Sequence, residues 1–323
     1  MANCSKNSWK YRLFLSADLE DSTKLKKDLF NVSKEYPEWA EYFQSFYSEF
    51  NTHFSKQLST AKKVPLPSIW KCLGDEILYV VEIQESANVA VYVECFKNAI
   101  IEYNKVATTI EEPKNCKCHG AVWGAGFPVR NREVLIPTSL DKKKAKCETD
   151  FIGFDMDLGF RISKFSRPER LVVSLPVAYI LSVNGYNGLR FYDHVDVKGI
   201  DVKYPLFWTC SDKVLEQKTK WHQICEMTDV VTFCEDHFND EKISTFSTPF
   251  IEKDKSKTCT KISAQMIEFR EKIIKAGKIS KQEKEQKDLK ASRKQERENS
   301  GKKELPQELQ KVIKESFSQQ MLF

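Results

Sequence analysis

Two aspartates stand where apolar runs give way to polar turns. Asp18 ends the run Arg12-Leu13-Phe14-Leu15-Ser16-Ala17, and Asp75 follows Gly74 between the runs Ser68–Leu73 and Glu76–Val81. Apolar run, Gly-Asp, apolar run predicts a β-hairpin with Asp75 at its tip. If that hairpin neighbours the first strand, both carboxylates project from one edge of a sheet. Their oxygens would suit Mg2+ or Mn2+, hard cations that keep water and phosphate as remaining ligands. Strand-end and turn aspartates are also common for structural reasons alone. A second cluster, Cys116-Lys117-Cys118-His119, has half the spacing of a zinc site, but no second ligand pair follows it.

The elements that must carry these residues follow from periodicity. Tyr42, Phe43, Phe46, Phe50, Phe54 and Leu58 recur at three- and four-residue spacing, which predicts an amphipathic helix with an aromatic core face. Val89, Val93, Phe96, Ile100 and Ile101 give a second such face. Strands are expected at Cys118 to Pro128 and Leu171 to Leu175, and helices at Leu158 to Phe165 and Val177 to Val183. A closing hairpin is read from Val195-Asp196-Val197-Lys198 and Tyr204–Thr209. Helices alternating with hairpins point to a mixed α+β domain rather than a purely parallel, doubly wound sheet.

Composition narrows the class. With 323 residues, 41% hydrophobic and 30% charged, the chain can bury a core. A net charge of +5 is too mild to mark the whole chain as nucleic-acid binding. There is no apolar run long enough to span a membrane, and Met1 to Arg12 lacks a signal-peptide core. The ten cysteines form no paired framework and read as reduced thiols, so a cytoplasmic location is expected. Between Arg270 and Glu304 stand 13 basic and 7 acidic residues with few apolar ones, a solvated helix or tail, or a basic arm for an acidic partner.

The residues around the two aspartates carry a resemblance. Asp18-Leu19-Glu20-Asp21-Ser22-Thr23 and Lys71-Cys72-Leu73-Gly74-Asp75-Glu76 resemble the two metal motifs of class III nucleotidyl cyclases. Asp150, Gly153 and Arg161 match the spacing of a third family motif, with Asp157 in place of its usual Asn, and Val197-Lys198-Gly199 resembles the family's phosphate-binding element. Leu15–Leu19, Gly74–Leu78, Ala125–Val129 and Asp157–Arg161 are most similar to the bacterial Pycsar pyrimidine cyclases. The likeness covers about residues 9–212 and leaves 213–323 as a charged extension, largely helical or partly disordered.

This resemblance implies a ferredoxin-like cyclase domain, a head-to-tail homodimer with shared active sites, and conversion of CTP or UTP to a cyclic nucleotide and pyrophosphate. It implies a second-messenger role in antiphage defence, with a separate effector activated by the product. Asp18, Asp75 and the carbonyl of Leu19 would hold two Mg2+ or Mn2+ ions per site. Lys71 and Asp150 would read the base, Arg161 and Lys198 would contact the triphosphate, and Asp157 would face the ribose. A lysine donor beside a carboxylate acceptor matches cytosine N3 and N4, and equally adenine N1 and N6, whereas uracil reverses both. Adenylate cyclase and a cyclase-like module without activity are the competing readings. The cyclic-dinucleotide synthases carry a Gly-Gly-Asp/Glu-Glu-Phe signature, and Leu73-Gly74-Asp75-Glu76-Ile77 lacks its first Gly and its Phe.

Overall fold

A computed structural model describes residues 9–32, 38–61, 63–110, 114–139, 141, 146–200, 202–210, 223–224, 227–239, 248–260 and five positions between 267 and 275. Two compact units are distinguished, Met1–Ile267 and Glu268–Phe323. In the second, the described residues include a Glu268–Lys272 ion pair at helical spacing. The basic stretch 276–304 lies outside the described residues, as does the segment 305–323.

In the first unit, β1 (Lys10–Leu19) is followed by helices α1 (Ser22–Val32) and α2 (Glu38–Thr60). Next come the hairpin β2 (Ser68–Leu73) and β3 (Glu76–Ile83), then α3 (Asn88–Ala107) and β4 (Cys118–Phe127). These strands lie in the order β4-β1-β3-β2, each antiparallel to its neighbour. That is the ferredoxin-like arrangement which the family resemblance implies. The sheet continues beyond β4 through β7 (Leu171–Val173), β9 (Tyr204–Thr209), β8 (Leu189–Val195) and β10 (Gln223–Ile224). A separate hairpin, β5 (Asn131–Pro137) with β6 (Cys147–Gly153), leads into α4 (Phe154–Ile162). Helix α5 (Leu175–Val183) and α6 (Met227–Asn239) complete the unit.

Alternation along β1 sorts the side chains between two faces. Leu13, Leu15, Ala17 and Leu19 share one face with Tyr79 of β3, which receives the aromatic stripe of α2 and Phe96 of α3. There Phe50 meets Phe96 at 5.5 Å and Phe54 meets Tyr79 at 5.2 Å between ring centres. Burial of each such ring contributes about 1.5–3 kcal/mol. Phe14, Ser16 and Asp18 point to the other face, with Trp123 and His119 of β4 in register. On that side Phe14 packs on Trp123, Phe151 and Trp70, so the β5–β6 hairpin and α4 are seated by an aromatic cluster. A Cβ on Gly159 would overlap the Trp123 indole, which explains a residue without a side chain on the inner face of α4.

Three sequence expectations are corrected. The helix read as Leu158 to Phe165 starts earlier, at Phe154, because Gly153 at φ 144° turns the chain directly out of β6; its last three residues form a 3-10 turn. Val195 ends a strand that began at Leu189, and Asp196–Ile200 form a turn around Gly199 at φ 76°, not a strand. Finally, the chain beyond 212 was expected to be an extension, yet parts of it join the first unit. Val230 and Cys234 of α6 are buried against α5, and Ile251 and Cys259 enter the same core.

Candidate active site

Asp18 and Asp75 are brought together as the paired-strand reading requires. Asp18 lies opposite Glu76 on β3, and the Leu19 amide donates to the Asp75 carbonyl at 3.3 Å. Leu19 is buried, so its main chain is fixed beside the Gly74–Asp75 turn. The Ser22 hydroxyl donates to Asp75 Oδ2, and that of Ser16 to Glu76 at 2.5 Å. Tyr47 of α2 reaches over to the Gly74 carbonyl and ties the turn to the helix layer. Burial, then the neighbouring Asp75 and Glu76, push Asp18 up to about 7, against the smaller opposing pulls of the Leu19 amide and Lys26.

The donor chemistry therefore fits a divalent cation. Crowded carboxylates on a sheet edge lose their mutual repulsion when a hard cation lies between them. Among the described residues, no three His, Cys, Asp or Glu side chains already converge closely enough to hold an ion. That also excludes a formed zinc site at Cys116–His119 within those residues. Cys118 is buried toward α3, whereas His119 faces Asp18.

His119 is a neighbour that motif reasoning did not single out for this site. Its Nε2 stands 3.9 Å from Asp18 Oδ2, and its Nδ1 lies 2.6 Å from the Ser166 hydroxyl. Burial, reinforced by Arg167, lowers its pKa to about 4. The signal was present in β4, since a strand register that pairs Asp18 with His119 places both on one face.

Lys71 and Asp150, 79 residues apart, meet directly: Nζ to Oδ1 is 2.8 Å. Lys71 also rides over the Trp70 ring at 4.8 Å. Oδ1 of Asp150 additionally accepts the Phe151 amide at 2.9 Å, so both bonds fall on one oxygen. Arg161, in the last turn of α4, and Lys198 are likewise neighbours. A Cβ on Gly199 would come 2.9 Å from Arg161 Nη1, so the guanidinium lies against the bare turn backbone next to Lys198. Asp157 is exposed one helical turn before Arg161. Asp155 is the buried acid of that helix, accepting from Asn131 at 2.7 Å and Arg130 at 3.3 Å, which pins α4 to β5.

Among the described residues, no hydrogen bond or ion pair joins the Lys71–Asp150 pair, or Arg161 and Lys198, to Asp18 and Asp75.

No family profile and no curated protein matches the sequence. Comparison of folds does find similar solved structures. The adenylyl cyclase CyaB from P. aeruginosa aligns over 64% of this chain and 96% of its own, with 13% identity and a TM-score of 0.48. The guanylate cyclase domain of RhGC from Catenaria anguillulae, solved with GTP, aligns over 63% and 98%, with 11% identity and a TM-score of 0.45. Similarity at this level carries no functional weight by itself. No described helix is long and apolar enough to cross a membrane.

Proposed function

We propose that the chain is a metal-dependent nucleotide cyclase that closes a pyrimidine ribonucleoside triphosphate to its 3′,5′-cyclic monophosphate with release of pyrophosphate. The observation that carries this reading is the placement of the motif residues. Asp18 and Asp75 share one strand-end, Lys71 binds Asp150 across 79 residues, and Arg161 lies on the Lys198–Gly199 turn.

Asp18 and Asp75, with the Leu19 carbonyl, would hold Mg2+ or Mn2+. The bound ions would supply acidification of the 3′-hydroxyl and charge neutralisation on the leaving pyrophosphate. The protein's own part is orientation and electrostatics. Arg161 and Lys198 bind phosphate oxygens, and Arg161 adds fixed positive charge where negative charge grows in the transition state. Lys71 donates to a ring nitrogen of the base, while Asp150 Oδ2, which accepts no hydrogen bond among the described residues, accepts from an exocyclic amine. That order selects CTP over UTP; similarity to the pyrimidine cyclases separates CTP from ATP. Asp157 faces the ribose.

The site is completed by a second copy. Among the described residues no hydrogen bond or ion pair joins the acidic and basic groups, and exposed apolar side chains stand on the strands that carry Lys71 and Asp150 and on their hairpin partner: Ile69 and Leu73 on β2, Ile152 on β6, and Leu135 and Ile136 on β5. In a head-to-tail dimer, the carboxylates of one chain face the Lys71, Asp150, Arg161 and Lys198 of the other, giving two equivalent sites. The product then acts on a separate effector, in antiphage signalling as the pyrimidine-cyclase resemblance implies.

The test is to incubate the purified protein with each of the four ribonucleoside triphosphates and Mn2+ and identify products by mass. Cyclic CMP is expected. Cyclic UMP alone would overturn the base assignment, and no cyclic product from any of the four would overturn the function.

A further inference from the structure

The Ser166 hydroxyl has one proton, and it donates that proton to the Ser163 carbonyl at 2.5 Å. Its 2.6 Å contact with His119 Nδ1 must then be made by an Nδ1–H. A neutral ring in that tautomer presents a bare lone pair on Nε2. This lone pair faces Asp18 Oδ2, also an acceptor, at 3.9 Å, a separation too long for a direct hydrogen bond. Asp75 is tied to the same strand-end, its carbonyl accepting from the amide of Leu19, the residue after Asp18, at 3.3 Å. These three side chains do not already converge on one point, but two acceptors 3.9 Å apart with a second acid at the same strand-end need only side-chain rotation to share a positive charge. Donors that share one ion at about 2.1 Å each stand about 3–4 Å apart.

We propose that His119 Nε2 is a further protein ligand to the divalent ion held by Asp18 and Asp75. Ser166 acts as its positioning residue, in the way that ligating histidines donate their other N–H to a fixed acceptor. This inference rests on the cyclase reading for the carboxylate pair. It also sets a preference: an imidazole nitrogen favours Mn2+ and other transition metals over Mg2+, which takes oxygen ligands.

The experiment uses the full chain with Mn2+ and inorganic pyrophosphate, a nitrogen-free stand-in for the leaving group, and reads the bound ion by pulsed electron paramagnetic resonance. Bound Mn2+ should show coupling to 14N, and the coupling should change to that of 15N when only histidine is 15N-labelled. His119→Ala and His119→Asn should lose it while melting as cooperatively as the wild type. Ser166→Ala should retain the coupling and weaken Mn2+ binding on the order of tenfold. If either His119 variant fails to fold, the labelled wild-type spectrum still decides. Mn2+ binding that depends on Asp18 and Asp75 without histidine coupling would overturn the ligand assignment and leave the cyclase reading standing. Mn2+ binding indifferent to Asp18→Asn and Asp75→Asn would overturn the carboxylate site itself.

Discussion

Ser22 holds Asp75 and Ser16 holds Glu76, whereas Asp157, Arg161 and Lys198 make no hydrogen bond among the described residues. The acidic cluster is fixed on paired strands; the basic one sits at a helix end and a turn. The difference follows from charge. The sheet buries Asp18 and sets Asp75 and Glu76 beside it, and burial first, then those like charges, raise its pKa. Cations that meet an anionic substrate need only be placed within reach, because the substrate supplies the attraction.

The sharpest way to break the contrast is to remove an acid. Asp75→Ala should reduce turnover by about a thousandfold or more, since no other group replaces a lost metal ligand. The fold, followed by circular dichroism, should survive. Arg161→Ala should lower kcat by about 100- to 1,000-fold, the range for one electrostatic stabiliser, with the melting temperature unchanged. Mixing the two variants under subunit exchange gives about half mixed dimers with one intact site of two, so about a quarter of wild-type activity should return. No recovery despite demonstrated exchange would place the site within one chain.

A smaller effect is expected from Gly199→Ala. The new Cβ at positive φ costs about 1–2 kcal/mol and displaces the Arg161 guanidinium. A fall of about tenfold in kcat, measured with KM for the triphosphate, would sharpen the link between that turn and Arg161.

The smallest effect is on stability and should run opposite to activity. Asp18 has a raised folded pKa because burial, Asp75 and Glu76 oppose its charge, against a weaker pull from Lys26. Its ionisation therefore costs stability increasingly as pH rises from its unfolded value near 4 through about 7. In the absence of divalent ions, Asp18→Asn should raise the melting temperature at pH 8, and the gain should vanish toward pH 4. An unchanged difference across that range would show that Asp18 is not the group under electrostatic load.

Much of this contrast could be read from residue order. The aromatic stripe of α2 and the apolar runs around Gly74-Asp75 specify their elements because burial and turn chemistry act locally there. The β5–β6 hairpin was not legible: β5 exposes Leu135 and Ile136, and β6 opens with the exposed Cys147, Glu148 and Thr149, so neither strand alternates cleanly. Val195–Lys198 looked like a strand because two valines flank an acid, but the positive φ of Gly199 determines a turn. Lys71 and Asp150 were matched to motifs separately; their direct bond depends on how the hairpin folds over the sheet, a distance of 79 residues that periodicity does not encode. His119 was weighed only against its cysteine neighbours, and strand alternation sends it to the opposite face from Cys118.

The loop 248–260 has a practical consequence for anyone trimming this protein to its smallest working piece. Asp254, only 4% exposed, accepts from the amides of Ser86 and Cys259 and from the hydroxyls of Ser256 and Thr258. Lys255 pairs with Glu85 at 2.6 Å. The segment thus buckles onto the chain just ahead of α3, with Ile251 and Cys259 plugged into the core. Cutting after residue 212, where the cyclase-like motifs run out, would pull that buckle away and strip the cover from α5. A cut placed after Thr260 would keep both, and should be the shorter version that still purifies as a folded protein.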